Sequence, residues 1–253
     1  MAPRGRRVTA AAALALALTL AGCASAPSSA DRAGADGEVT VFAAASLRTA
    51  FDAIAEAFRT AHPEVTVHPI VYDGSSVLVT QLTEGAHADV LATADERTMQ
   101  TAVDAGLASD PQPFATNTLV VAMPAGNPAG ITTLSDLAAA TAVLCAPEVP
   151  CGAATARLLE SAGVTVTPAS VEQNVTAVLQ KVVEGEADAG IVYATDVRGE
   201  DVESFAPEGA EDIVSRYPIA TLDGSSEAGA AFVAFVQGPE GQRLLADAGF
   251  GTS

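Results

Sequence analysis

Positive charge is scarce in this sequence. Lys181 is its only lysine, and lysine and arginine together number 12 against 31 acidic residues, which gives a formal net charge of −19 at pH 7. Nucleic acid and anionic membrane surfaces are therefore disfavoured as partners, because both are bound through clustered basic side chains. The arginines are few and scattered, so any anion that the protein binds must be held by neutral donors and helix termini.

Histidine is also rare, with three residues in the chain. His62 and His68 each precede a proline in a surface-like stretch, and His87 lies in a turn after a predicted helix. There is no Gly-x-Ser-x-Gly element, no phosphate loop with lysine and no paired histidine for zinc. The sequence therefore predicts no catalytic residues, no direct metal-cation ligands, no cofactor and no enzymatic activity. An enzyme and a purely structural or adhesive protein remain as alternatives.

The amino terminus has the pattern of a secretion signal. Three arginines precede an apolar run from Val8 to Leu20, which is too short to span a bilayer and is followed by small residues and Cys23. The Leu-Ala-Gly-Cys ending resembles the bacterial lipoprotein box, in which the cysteine becomes the acylated first residue. We expect residues 1–22 to be a signal peptide, lipid on Cys23 and a flexible tether over residues 23–37. The alternative is an ordinary signal peptide in which Cys23 is incidental.

The other two cysteines, Cys145 and Cys151, are left to pair with each other, and a secreted protein enters an oxidising compartment. Their separation, with Pro147 and Pro150 between them, allows a loop that brings the two together. A disulfide is the favoured prediction. Two buried free thiols and a metal pair are the alternatives, and a metal pair would lack a nearby histidine.

Strands and helices alternate along the chain, which predicts an α/β fold with parallel sheets. An acidic, irregular patch is expected at residues 200–211. The predicted strands are 39–44, 65–71, 89–92, 118–123, 142–145, 189–193 and 213–222, and the predicted helices are 47–58, 75–84, 95–105, 134–139, 152–162, 175–184, 227–236 and 239–248.

The order of these elements predicts two lobes. The first lobe would comprise residues 38–117 and 221–253, and the second lobe residues 118–220. Two segments, Asn117 to Met123 and Tyr217 to Leu222, would cross between them as a hinge. The C-terminal helices would return to the first lobe.

Several predicted strands are followed directly by a helix, and such junctions are where ligands bind in open α/β sheets. Ser46 follows the first strand, and Ser75 and Ser76 follow the second. In the second half, Pro150-Cys151-Gly152 and Asn174-Val175-Thr176 open further helices without a basic side chain. Each serine taken alone is also explained as an ordinary helix cap.

Six motifs in order resemble those of the periplasmic molybdate-binding proteins, over nearly all of Val39 to Phe250. They are Val41-Phe42-Ala43-Ala44-Ala45-Ser46-Leu47, Gly74-Ser75-Ser76, Ala88-Asp89-Val90 with Ala94-Asp95, Asn117-Thr118-Leu119-Val120-Val121, Val149-Pro150-Cys151-Gly152, and Gly190-Ile191-Val192-Tyr193-Ala194-Thr195-Asp196.

This resemblance implies a two-lobed, type II periplasmic-binding-protein fold with a hinge of two crossing segments, closing on molybdate or tungstate. The oxyanion would be bound by the hydroxyl and N–H groups of Ser46 and Ser75, the backbone N–H groups of Cys151 and Val175, and the phenol of Tyr193. Tyr193 could equally be a core aromatic residue, since it ends a buried strand.

The resemblance also implies a monomeric, extracytoplasmic protein that delivers its ligand to the membrane permease of an ABC transporter. Other oxyanions such as sulfate or phosphate, and ferric iron, are the alternative ligands. A ferric site would need several tyrosine or carboxylate ligands, and the chain has only three tyrosines.

Two positions depart from the family pattern. Asp73 lies two residues before Ser75, where a carboxylate facing the pocket would repel a dianion. We expect Asp73 to point away from the pocket or to accept backbone N–H groups. Cys151 stands where the family can have a smaller residue, which a contact through the backbone alone tolerates.

Overall fold

The computed structural model describes residues 37–251. The predicted signal peptide, the acylation site at Cys23 and all of the tether except Gly37 lie outside the described residues. Within 37–251, no helix combines the length and apolar character needed to cross a membrane.

The first of two five-stranded sheets mixes parallel and antiparallel pairs. Its order is β4-β2-β5-β12-β6, with β2 (Val41–Ala44), β4 (Val71–Asp73), β5 (Val90–Ala92), β6 (Gln112–Asn117) and β12 (Ser215–Thr221). The strand β2 is parallel to both β4 and β5, whereas β12 is antiparallel to β5 and β6. A separate pair joins β1 (Gly37–Val39) to β3 (Val65–Val67).

The second sheet has the same mixed character. Its order is β11-β7-β10-β8-β9, with β7 (Leu119–Pro124), β8 (Ala142–Cys145), β9 (Ser170–Glu172), β10 (Ala189–Tyr193) and β11 (Val202–Phe205). The strands β8, β9 and β10 run parallel, while β7 is antiparallel to β10 and β11. The predicted α/β class and two-lobed fold are confirmed, but the sheets are not purely parallel.

Helices cover the sheets because each has an apolar face. In the first helix, Phe51, Ile54 and Phe58 recur at helical spacing and are fully buried. The helices are α1 (Arg48–Ala61), α2 (Ser75–Thr83), α3 (Glu96–Asp104), α4 (Pro150–Ser161), α5 (Val175–Val183), α6 (Glu227–Gln237) and α7 (Pro239–Asp247), with 3-10 turns at Ala45–Leu47, Leu134–Ala138 and Ala210–Asp212.

The chain passes between the sheets at two places, and one of them differs from the prediction. The first passage is at Thr118, between β6 and β7, at the start of the predicted segment. The predicted second crossing at Tyr217 to Leu222 is wrong, because Tyr217 pairs with Ala115 and Ile219 with Ala92 inside the first sheet. The second passage is at residues 206–214, so β12 belongs to the first lobe and the predicted boundary at residue 220 lies too late.

Other differences have local causes. The predicted strand at 65–71 is interrupted at His68-Pro69, where proline lacks an N–H for the sheet, and becomes β3 and β4. The expected irregular patch contains β11, an edge strand with half-exposed ends, and the sequence did not predict β6 or β9. None of these three strands has a continuous apolar pattern.

A chain of aromatic rings runs from the core of the first lobe to Tyr193 in the second lobe. The Phe51 ring lies 5.8 Å from that of Phe114, and the Phe114 ring lies 6.4 Å from that of Tyr217. The Tyr217 ring in turn lies 5.9 Å from that of Tyr193, which comes from the second sheet. All four rings are buried, so Tyr193 is positioned by packing from both lobes.

Candidate functional site

A small cavity lies between the lobes at the ends of their strands. All five residues of the predicted ligand set line it. The lining residues are Ala44, Ala45, Ser46, Asp73, Gly74, Ser75, Ala94, Pro150, Cys151, Asn174, Val175 and Tyr193. Its volume is about 10 Å³, roughly the space that one water needs. The lobes therefore meet closely around this cavity.

Three helices begin at this cavity. Ser75 is the first residue of α2, Cys151 the second of α4 and Val175 the first of α5. The first N–H groups of a helix have no partner within the helix and carry partial positive charge, which favours anions. None of the described residues that line the cavity is lysine or arginine. Asp73 contributes the one carboxylate in this lining, and the other lining residues are uncharged.

The two predicted serine ligands are not helix caps. Ser46 lies inside the 3-10 turn after β2 with 8% of its surface exposed, and its Oγ is 2.9 Å from the Tyr217 hydroxyl. Ser75 follows Gly74, the residue that caps α2, and its Oγ accepts the Ala94 N–H at 3.0 Å. Because the Ser75 Oγ accepts that bond, its hydrogen is available to a ligand.

The phenol of Tyr193 is a buried donor without an acceptor. The residue is 1% exposed, and its hydroxyl has no hydrogen-bond partner within residues 37–251. Burial raises the pKa of Tyr193, so the phenol stays protonated. The nearby hydroxyls of Ser215 and Tyr217 lower the pKa of Tyr193, but neither is placed to form a hydrogen bond with its hydroxyl. An unsatisfied buried donor costs about 1 to 3 kcal/mol, which a ligand oxygen would recover.

A second carboxylate lies behind Tyr193. Asp196 accepts the backbone N–H of Tyr193 at 2.8 Å. Burial raises the pKa of Asp196 to about 7, and the Tyr193 N–H opposes that rise. Asp196 therefore holds its proton to a higher pH than an exposed aspartate does.

Asp73 accepts a backbone N–H, as expected, although it also lines the cavity. Its Oδ1 accepts the N–H of Gly74 and the side-chain amide of Asn174, each at 2.8 Å. Asn174 caps α5 with its own Oδ1, which accepts the Ala177 N–H. The Asp73 to Asn174 bond links the two lobes, a role that the sequence does not indicate. The asparagine at the start of a helix was visible, but its partner across the cleft was not.

A disulfide joins Cys145 at the end of β8 to Cys151 in α4, with the Cα atoms 5.8 Å apart. It closes the loop that presents the Cys151 N–H to the cavity. The paired sulfurs leave neither cysteine as a free thiol or a metal ligand in this structure. Throughout residues 37–251, no cluster of three or more His, Cys, Asp or Glu side chains is placed to hold a metal ion.

Comparison with known proteins gives matches along most of the chain. Residues 39–251 match the family model described as bacterial extracellular solute-binding protein. The molybdate-binding protein ModA of Mycobacterium tuberculosis strain H37Rv is 44% identical over 220 residues, 84% of each chain. ModA of Escherichia coli K12 is 32% identical over 232 residues, 85% of this chain and 89% of that protein. The solved periplasmic molybdate-binding protein of Azotobacter vinelandii superposes with a TM-score of 0.73 at 17% identity, covering 85% of this chain and 99% of that one.

Proposed function

Since this chain belongs to the bacterial extracellular solute-binding protein family, we propose that it binds molybdate or tungstate between its lobes and delivers the oxyanion to the membrane permease of an ABC importer. The molybdate-binding relatives support this choice of ligand. The protein acts outside the cytoplasm as a monomer. It performs no catalysis, since members of this family bind solutes.

The observation that carries the proposal is the convergence of neutral donors from both lobes on one cavity. Ser46 and Ser75 contribute from the first lobe, and Cys151, Val175 and Tyr193 from the second. Each hydrogen bond to a charged partner contributes about 1.5 to 3 kcal/mol. Before the cost of ordering is subtracted, the proposed bonds together therefore contribute more than the roughly 8 kcal/mol of micromolar affinity.

Isothermal titration calorimetry with four oxyanions tests the ligand. Molybdate and tungstate are fully deprotonated near neutral pH and should bind tightly. Phosphate should bind poorly, because it retains a proton for which the proposed ligand set of O–H and N–H donors offers no acceptor. Sulfate has the right charge but is smaller, so donors spaced for molybdate cannot all lie within about 2.7 to 3.2 Å of its oxygens. Sulfate binding as tight as molybdate binding would contradict the assignment of molybdate as the ligand, but it would not contradict the fold.

We further propose that lipid on Cys23 anchors the protein to the cell membrane, on the basis of the Leu-Ala-Gly-Cys signal ending. The Cys23→Ser variant should be released from the membrane or remain unprocessed, because serine offers no thiol for acylation. Fractionation of cells that express each form, followed by mass spectrometry of the amino terminus, measures this. Equal membrane partition of the two forms would contradict the anchor.

A further inference from the structure

Two side chains of the first lobe reach across the cleft without lining the cavity. The Ser76 hydroxyl in α2 donates to the backbone carbonyl of Glu148 at 2.7 Å. Arg97 in α3 donates to the same carbonyl through Nη2 at 3.2 Å. Glu148 belongs to the second lobe, where it lies between the two disulfide-bonded cysteines. One backbone oxygen of the second lobe therefore receives two donors of the first.

The loop that carries this carbonyl is held firmly in the second lobe. The disulfide closes its ends, and the Ala146 N–H donates to the Glu172 carbonyl at 2.8 Å. The Val149 N–H donates to the Ala146 carbonyl at 3.1 Å, and the Gln173 amide donates to the Glu148 carboxylate at 3.2 Å. The hydrogen bonds to the Glu148 carbonyl therefore restrain the same short loop that carries Cys151.

We propose that Ser76, Arg97 and the Glu148 carbonyl form a clasp that holds the lobes closed over the bound oxyanion and slows its release. Ser76 and Arg97 are thus positioning residues that do not touch the ligand. The inference rests on the proposed function for the identity of that ligand. Both bonds exist only when the lobes meet, so they stabilise the closed state relative to the open one.

A contact made only after closure should act on dissociation. The ligand meets the open cleft before the clasp forms, so its association rate should not depend on Ser76 or Arg97. Escape requires the clasp to open first. In the open protein both donors bond to water, and Arg97 is exposed, so the net effect of each bond is modest.

Stopped-flow kinetics with molybdate tests the clasp in the mature protein. The double variant Ser76→Ala with Arg97→Ala should release molybdate about tenfold faster, with the association rate within about twofold of wild type. Ser76→Thr keeps a hydroxyl and should restore slow release relative to Ser76→Ala. Thr80→Val is the matched control, since it removes a hydroxyl from the same helix that bonds only to the Ser76 carbonyl. Its release rate should equal that of wild type.

Release by the double variant at the wild-type rate would overturn the clasp, and so would a loss confined to association. A wild-type protein that binds no molybdate would instead refute the proposed function. In that case small-angle scattering of the ligand-free proteins tests whether the clasp holds the lobes together. A larger radius of gyration in the double variant than in wild type supports it, and equal radii overturn it.

Discussion

Replacing Gly74 with alanine should weaken molybdate binding about ten- to a hundredfold, while the unfolding temperature of the ligand-free protein barely changes. Gly74 has φ −58° and ψ 134°, which any residue adopts without strain. A Cβ at this position would overlap the backbone carbonyl of Gln173 and would lie 3.2 Å from Cγ1 of Val149. Both neighbours belong to the second lobe, so the overlap arises only when the lobes close.

Gly152→Ala provides the matched contrast. Its added Cβ would overlap the carbonyls of Ala146 and Cys145 within the same lobe. That variant should lower the unfolding temperature even without ligand, because no opening of the cleft relieves the contact. Thermal unfolding and calorimetry on both variants separate the two effects. Wild-type affinity in Gly74→Ala, or its marked destabilisation without ligand, would contradict the closed geometry described for the cleft.

Tyr193→Phe should weaken molybdate binding roughly ten- to a hundredfold, since it removes one donor to a charged ligand. The ring and its packing against Tyr217 would remain. Because the Tyr193 hydroxyl has no partner within the described residues, the ligand-free protein should lose no stability and could gain about 1 kcal/mol. Calorimetry with molybdate and thermal unfolding without it measure the two quantities.

Tyr217→Phe is the control for Tyr193→Phe. It removes a buried phenol that is hydrogen-bonded to Ser46, from a residue that does not line the cavity. This variant should lose about 1 kcal/mol of stability and affect binding less than Tyr193→Phe does. Binding by Tyr193→Phe within about twofold of wild type would make Tyr193 a core residue, and the proposed ligand set would have to change.

Local patterns were sufficient to predict most of the fold. The buried faces of α1 and α6 repeat at helical spacing, and β10 is a continuous apolar run. The sequence could not predict that Ser215–Thr221 pairs in the first sheet, because an apolar strand carries no mark of its neighbours. It also missed β9 and β11, which are edge strands with partly exposed residues.

The candidate site was also predictable only in part from the sequence. The donors at Ser75, Cys151 and Val175 follow from strand-to-helix junctions, which a sequence displays. The contacts across the cleft do not. Asp73 and Asn174 are 101 residues apart, and Ser76 and Glu148 are 72 apart. Such pairs depend on how the two lobes meet, and no local pattern encodes that.

X-ray diffraction at the molybdenum absorption edge, from crystals grown with molybdate, would locate the bound oxyanion. One anomalous peak is expected between the lobes. The oxygens around it should lie about 2.7 to 3.2 Å from the Ser46, Ser75 and Tyr193 hydroxyls and from the N–H groups of Cys151 and Val175. A molybdenum peak outside this cleft, or one inside it that makes no contact with Tyr193, would contradict the account.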